Sequence, residues 1–397
     1  MDTITHGIAG ALIGKAVFGG EDMFASQPIN RGRIITWSLM LGGIFPDADV
    51  IREFFSSDKL LVVTWHRSIT HSLVMLPLWA LLLAAITRWF TKWRKWEAPS
   101  FRALSAIYAV GILSHILLDL MTSFGTMVWS PLEWSRPAWD LLFIVDFTLT
   151  AILLVPQWLA WVYAHPEKVK RRAVGLWLVF MPAPFLIARI AAIAGAPISD
   201  RVVLTVVVLL ALLFLMPTRF GWGPKVRQRT WNRSGLAAAV IYVTATAYLH
   251  HVAFSRIHKF AELEHLQAES IAALPLPPSL WHWDGLVRID RGVYELPMDL
   301  ADKPASDTDL VGLEHRYYPD APGNSYIEEA KRLPEVQKVL WFSRFPVTRF
   351  HKEGDVAVVE IADMRFAAIR RDRPRSFTYR VRFSADGNVL SKGWVTR

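Results

Sequence analysis

The sequence predicts an all-α polytopic membrane domain of about six to eight helices, followed by a small α+β, mostly β, soluble domain. Hydrophobic residues fill 53% of the 397 positions, and the mean hydropathy is +0.27. A soluble chain of this length is usually less apolar. The apolar residues are also unevenly placed, since long apolar runs dominate residues 70–254 while residues 255–397 resemble a soluble domain.

A transmembrane helix needs a run of about 20 apolar residues. The candidate runs are residues 70–90, 103–128, 139–163, 174–194, 202–217 and 235–254. Two weaker segments precede them, at residues 4–18 and 34–46. Both are short enough to form helices that dip into the bilayer without crossing it.

Loop charge predicts the orientation of these helices. Loops with four or five Lys and Arg residues alternate with loops that hold one Arg, and the basic loops are 88–102, 164–173 and 217–233. Basic loops stay in the cytoplasm under the positive-inside rule. We therefore expect a helical membrane domain over residues 1–254 and an extracytoplasmic α+β domain over residues 255–397.

The predicted soluble domain contains runs that favour strands. Residues 356–366, 376–384 and 387–397 are rich in alternating apolar and β-branched positions. Asp386-Gly387, between the last two runs, is typical of a hairpin turn.

Composition limits the chemistry that the chain can perform. Cysteine is absent, which excludes disulfides and thiolate metal sites and leaves His, Asp and Glu as ligands. Much of the net charge of +9 lies in the short loops, and no basic stripe interleaved with aromatics stands out. Nucleic acid is therefore not an expected partner.

Four motifs carry ionisable residues into or next to apolar segments: Thr5-His6-Gly7, GIFPDAD from Gly43, HRSITHS from His66 and SHILLD from Ser114. In the last of them, His115 and Asp119 are four residues apart and share one face of a helix. An ionisable pair near the middle of an apolar run costs several kcal/mol unless it finds partners. A metal ion meets that need, because it binds imidazole and carboxylate together.

The motifs together supply seven potential ligands, which are His6, Asp47, Asp49, His66, His71, His115 and Asp119. This number exceeds what one tetrahedral zinc needs, so the sequence predicts one or two divalent ions, with zinc expected. Asp49 is also the expected general base, and Arg67 would neutralise an anionic substrate or orient a ligand carboxylate. Asp140 and Asp146 are expected to support the ligands through hydrogen bonds.

Other interpretations use the same residues. Taken singly, a histidine in a membrane helix is usually a packed hydrogen-bonding group, and each motif can be a helix cap. A transporter of metal ions or protons needs polar residues that continue to the cytoplasmic face, whereas residues 75–87 and 104–112 are nearly all apolar. A metal-stabilised scaffold would have saturated protein ligands and no open coordination position.

The segments THGIAG, GGIFPDAD, HRSITHSL and LSHILLDLMTSFGTMVWSP resemble the YdjM-type family of LexA-regulated, membrane-bound metal-dependent hydrolases. The resemblance covers about residues 1–150, and Ser68 stands where a Gly is often found. It implies a bacterial inner-membrane protein whose hydrolase site uses the seven residues named above. The order of ligands is also similar to that of zinc-dependent phospholipase C, which favours a phosphoester substrate.

The predicted function is therefore hydrolysis by metal-activated water at the outer membrane–water interface. A site that opens from mid-bilayer suits an amphiphile, so the expected partners are membrane lipid and a lipid or lipid-linked phosphoester. An amide or carboxylic ester of a lipid is the next choice.

Overall fold

The computed structural model describes residues 1–20, 29–193, 198–219, 223–276, 280–301, 314–366 and 377–395. The helices are α1 (Thr3–Ala16), α2 (Arg31–Ile44), α3 (Ile51–Phe54), α4 (Leu61–Thr64), α5 (Leu76–Trp93), α6 (Phe101–Leu120), α7 (Phe147–Tyr163), α8 (Val169–Phe180), α9 (Pro182–Ile193), α10 (Asp200–Arg219), α11 (Gln228–Leu263), α12 (Ser325–Arg332) and α13 (Pro334–Phe342). Short 3₁₀ helices at Phe45–Val50 and Ile69–His71 complete the region around the site.

Helix length and hydropathy identify the candidate membrane spans. Among the described residues, four helices qualify, which are Arg31–Glu53, Phe101–Leu120, Pro166–Arg189 and Gln228–Leu263. Leu61–His71 and Leu76–Trp93 form a fifth candidate if the 72° bend between them is counted within one span. The weak segment at 4–18 forms α1, whose 14 residues are shorter than a full span.

Glycines allow the first helices to pack at close range. A Cβ on Gly10 of α1 would lie 2.3 Å from the Leu39 carbonyl oxygen of α2, and one on Gly111 of α6 would lie 2.9 Å from the same oxygen. Helix α2 is therefore held tightly between α1 and α6, as small residues permit in membrane bundles.

Two antiparallel sheets follow the helices, each with its strands in chain order. The first contains β1 (Ser270–Pro275), β2 (His282–Ile289), β3 (Gly292–Asp299) and β4 (Arg316–Pro319), and the second contains β5 (Pro346–Glu353), β6 (Val356–Asp363), β7 (Thr378–Phe383) and β8 (Val389–Trp394). Gly387, with a φ of +84°, lies in the β7–β8 hairpin as the Asp-Gly pair predicts. The predicted fold class is thus confirmed, with four or five candidate spans among the described residues where the sequence predicts six to eight membrane helices.

The sheets pack against the helical region at two places. The C-terminal end of α11 buries Ile257 and Phe260 against Trp283 and Leu296 of the first sheet. The second sheet, with α12 and α13, shares a core with Leu60, Val63 and Phe124 of the helical region. This second contact lies beside the predicted site.

Candidate metal centre

The predicted site residues belong to four segments that meet inside the helical bundle. They are His6 in α1, Asp47 and Asp49 in the 3₁₀ helix Phe45–Val50, His66 and His71 in the segment before α5, and His115 and Asp119 in α6. Five of the seven are buried, and Asp47 and His66 are partly exposed. The convergence that the motifs predict is therefore present in the fold.

Four of these residues form one compact group, because Asp47, His71, His115 and Asp119 each offer a ligand atom within 4.8 Å of the others. The Nε2 atoms of His71 and His115 are 3.0 Å apart, and each lies 3.3 Å from Asp119 Oδ2. Asp47 Oδ1 lies 3.6 and 3.5 Å from the same two nitrogens. A tetrahedral cation with ligands at about 2.0–2.1 Å separates neighbouring ligand atoms by about 3.3 Å. The side chains therefore fit such a cation.

In His71 and His115, contacts made by Nδ1 leave Nε2 as the nitrogen that faces the other three ligands. His115 Nδ1 lies 2.6 Å from the Gly43 carbonyl oxygen, which can only accept, so Nδ1 donates; in the neutral ring Nε2 then carries the lone pair. His71 Nδ1 faces Asp49 Oδ2 at 3.4 Å and Thr70 Oγ1 at 3.1 Å. Two imidazole lone pairs and two carboxylate oxygens then face one another, and a cation removes their repulsion.

Asp119 presents its two oxygens to different partners. Arg67 Nη2 lies 3.0 Å from Oδ1, and His6 Nε2 lies 3.2 Å from the same atom. Oδ2 faces His71 and His115 and is a buried oxygen with no hydrogen-bond partner in the described part of the chain. A buried carboxylate oxygen without a donor is costly, so this atom is also suited to bind a cation.

Asp49 belongs to a neighbouring network. Its Oδ1 accepts a hydrogen bond from His66 Nδ1 at 2.9 Å, and its Oδ2 accepts from the Arg67 backbone N–H at 3.0 Å and from Thr70 Oγ1 at 3.2 Å. Successive residues of a 3₁₀ helix are rotated by about 120° around the helix axis, so Asp47 and Asp49, two residues apart, point in different directions. Arg67 has a φ of +62°, which a non-glycine residue keeps only where its surroundings hold it.

The group comes nearest to the surface at Asp47. Thr3 Oγ1 donates to Asp47 Oδ2 at 2.6 Å, and Thr3 itself is exposed. Ile4, next to Thr3 on α1, is 73% exposed, and Ile51, four residues after Asp47, is 56% exposed. Exposed apolar side chains therefore lie close in the sequence to Thr3 and Asp47.

Comparison with family models gives a match over residues 1–214 to the family described as YdjM inner membrane protein. The chain belongs to the YdjM inner membrane protein family. It is a multi-pass inner membrane protein, and its match extends beyond the first 150 or so residues that carry the resemblance. Both sheets lie outside the match. Comparison with curated proteins and with solved structures gives no match.

The remaining predicted residues of this YdjM family member lie around the group. His6 stacks on His115, with ring centroids 3.6 Å apart, and is not among the four compact ligands. Asp146 caps the N-terminus of α7 and accepts a hydrogen bond from Tyr242 at 2.8 Å. Asp140 pairs with Arg344 of the C-terminal region at 2.9 Å. The supporting roles of Asp140 and Asp146 stay predictions.

Several contacts at the site were not predicted. They involve the hydroxyl of Thr3, the carbonyl oxygen of Gly43, the hydroxyls of Thr70 and Thr122, and the guanidinium of Arg136. Thr70 lies within the HRSITHS motif, so its position beside His71 was a usable signal. Gly43 acts through its backbone, which a search for ionisable side chains does not detect.

Arg136, in the loop after α6, contacts the segment that carries His66. Its guanidinium donates to the carbonyl oxygens of Val63, His66 and Gly125, and it is 3.1 Å from that of His66. Burial, with repulsion from Arg67 and Arg365, lowers the pKa of Arg136 to about 9. The side chain therefore stays charged at neutral pH.

Proposed function

We propose that this protein is a membrane-embedded hydrolase that uses one divalent cation, most suitably zinc, to cleave a phosphoester of a lipid or lipid-linked substrate. The observation that carries the proposal is the group of four acceptor atoms in Asp47, His71, His115 and Asp119, spaced as a tetrahedral cation requires.

The contacts favour one ion over two. A second ion would need free ligand atoms next to the first group. Asp119 Oδ1 is already paired with the Arg67 guanidinium, and both oxygens of Asp49 accept hydrogen bonds. Arg67 therefore serves to orient Asp119 toward the cation, which is one of the two roles that the sequence suggests for it.

When bound, a divalent cation supplies an activated water and positive charge for a phosphoryl oxygen. The protein must then accept a proton next to it. His66 is the partly exposed member of the Asp49–His66 pair, with a side chain 17% exposed, and Asp49 holds its Nδ1 at 2.9 Å. His66 would take the proton at Nε2, and Asp49 would orient the ring.

The surroundings of Asp47 favour a lipid substrate. The exposed side chains of Ile4, Ile51 and Phe55 lie on or just after the segments that carry Thr3 and Asp47. An acyl chain can contact these residues from the bilayer while a phosphoester headgroup reaches Asp47. The distribution of Lys and Arg among the loops favours an extracytoplasmic location for this end of the bundle.

A metal-stabilised scaffold is the second candidate, because four protein ligands fill a tetrahedral cation and leave no open position. The partial exposure of Asp47 is what favours the hydrolase, since the most accessible ligand can give way to substrate. In the scaffold, the ion would be required for stability only.

The test compares metal content and turnover in variants of the purified protein. We expect wild-type protein to carry about one zinc per chain and to hydrolyse at least one member of a lipid phosphoester panel. His71→Ala should lose both. The matched His258→Ala, on the exposed face of α11, should lose neither.

His66→Gln separates the two candidate functions. It should keep zinc but lower turnover by about 100-fold or more, as the loss of a general base does. Zinc that stays bound in His71→Ala would defeat the site assignment. Stoichiometric zinc without turnover on any substrate, and with a lower thermal stability after zinc removal, would establish the scaffold instead.

A further inference from the structure

The C-terminal region of the second sheet contacts the loop after α6, next to the candidate metal centre, although it lies outside the family match. Arg365, two residues after β6, is buried and pairs with Asp363 at 2.7 Å. Its guanidinium also donates to the carbonyl oxygen of Ser123 at 2.9 Å and to that of Phe342 at 2.7 Å. One side chain of the C-terminal region therefore binds both its own helix α13 and the loop after α6.

The residue next to Ser123 is inserted into the C-terminal core. Phe124 is buried, and its ring centroid lies 5.1 Å from that of Phe342, 5.9 Å from that of Phe377 and 6.2 Å from that of Phe366. Aromatic contacts at these distances are favourable. The loop after α6 is thus fixed by the sheet domain and not by the membrane helices alone.

Arg136 connects this core to the ligand segment before α5. Its guanidinium lies over the rings of Phe124 and Phe342, at 4.9 and 5.2 Å from their centroids. The same guanidinium donates to the carbonyl oxygens of Val63 and His66. We name Phe124, Arg136, Phe342 and Arg365 the arginine–phenylalanine junction.

The junction adjoins the groups that orient Asp119. Arg67 follows His66, and its guanidinium lies 5.0 Å from the centroid of the Phe124 ring. The Arg67 carbonyl oxygen accepts from the Met127 N–H at 2.9 Å, so its left-handed backbone is held by the same loop. Arg67 Nη2 lies 3.0 Å from Asp119 Oδ1.

We propose that the C-terminal region positions the metal centre through the arginine–phenylalanine junction, with Arg365 as its principal positioning residue. Successive contacts connect the two regions: Arg365 bonds Ser123, the adjacent Phe124 contacts Arg67, and Arg67 pairs with Asp119. The sheet domain is in this view a structural part of the site. The zinc-binding measurement rests on the proposed function, whereas the measurement of loop order does not.

The test removes the Arg365–Asp363 pair without leaving a lone buried charge. The double variant Asp363→Asn with Arg365→Gln neutralises both partners in the full-length protein. Glu360→Gln with Arg380→Gln is the matched control, because it removes a pair at 2.6 Å on the same sheet that is partly exposed. Arg365→Lys is a third variant that keeps the charge but replaces the three guanidinium nitrogens that contact Asp363, Ser123 and Phe342 by a single nitrogen.

Two measurements are made on each protein. Hydrogen exchange of the Arg67 and Met127 amides, which are hydrogen-bonded to Asp49 Oδ2 and the Arg67 carbonyl, reports the order of the loop without any metal. We expect exchange to be about fivefold faster or more in the junction double variant. Zinc binding should weaken about tenfold, as it does when groups that orient ligands are removed.

The outcomes separate the inference from the proposed function. Unchanged exchange and unchanged zinc affinity in a folded junction variant would overturn the inference. Equal effects in the Glu360–Arg380 control would also overturn it, because the change would then be general to the sheet. If the double variant does not fold, the Arg365→Lys variant is measured in its place. Amide exchange at Arg67 and Met127 that is as slow as in wild-type protein would then contradict the inference. Absence of zinc from wild-type protein would contradict the proposed function, and the exchange comparison would still test the junction.

Discussion

The helices around the candidate metal centre and the helices α8 to α10 are both apolar, but they are built in different ways. In the spans Arg31–Glu53 and Phe101–Leu120, 44% and 50% of the residues in the most apolar window are buried. In Pro166–Arg189 only 6% are buried. The first set uses its apolar surface to pack helices together, and the second set leaves it for lipid.

Glycine shows the same difference at the level of single residues. Gly10 of α1 lies against the Leu39 backbone, whereas nothing lies within 4 Å of a Cβ placed on Gly175 of α8. In the described part of the chain, the four compact ligands lie in α6 and in the two 3₁₀ helices that contact it, next to this tight packing. Close backbone packing and buried charge thus occur together, because the ligands must be held at fixed distances to bind one ion.

The largest expected effect is on the ligand at the centre of the group. Asp119→Ala should abolish stoichiometric zinc binding, with a loss of affinity of about 100-fold or more, because a ligand and the partner of Arg67 disappear together. Asp200→Ala, at the exposed start of α10, removes a carboxylate from the lipid-facing set and should leave affinity unchanged. Zinc titration in detergent measures the affinity of both variants. Equal affinities would contradict the inferred difference between the ligand-bearing helices and α8 to α10.

The next effect concerns packing. Gly10→Ala should lower the free energy of unfolding by about 3 kcal/mol, because the new Cβ would meet a backbone carbonyl that cannot move aside. Gly175→Ala should be neutral or stabilise by up to about 1 kcal/mol, since alanine favours the helix and has open space. Reversible unfolding in mixed micelles gives both values. A similar loss in the two variants would show that α8 is packed as tightly as α1.

The sequence predicts which side chains lie close together better than it predicts what each of them contacts. The spacing of four residues places His115 and Asp119 together, and they are 3.3 Å apart in the structure. By contrast, the sequence treats Asp47 and Asp49 alike, and only the local 3₁₀ helix directs Asp47 to the compact group and Asp49 to His66. The stacking of His6 on His115 likewise depends on how α1 meets α6.

The link between the site and the sheets was beyond sequence reasoning. Ser123 and Arg365 are separated by 242 positions, and neither belongs to a motif of ionisable residues. The strands and the Asp386-Gly387 hairpin could be predicted from local alternation, because their pairing is between neighbours in the chain. The docking of the second sheet on Phe124 depends on tertiary packing between distant segments, for which a single sequence gives no period or spacing.

The smallest expected effect is at the accessible edge of the group. Thr3→Val keeps the shape of the side chain but removes the hydrogen bond to Asp47 Oδ2. Such a bond contributes about 0.5–1.5 kcal/mol, so zinc affinity should weaken by about 2- to 13-fold. The control is Thr205→Val in α10, which removes a hydroxyl that donates to the Arg201 carbonyl oxygen at 2.7 Å. Thr205 is distant in the sequence from every ligand, so this variant should leave zinc affinity unchanged. Because Thr3 is exposed, the Thr3→Val variant should fold as wild-type protein does. A change in thermal stability without a change in zinc affinity would show that the hydroxyl stabilises α1 and does not orient Asp47.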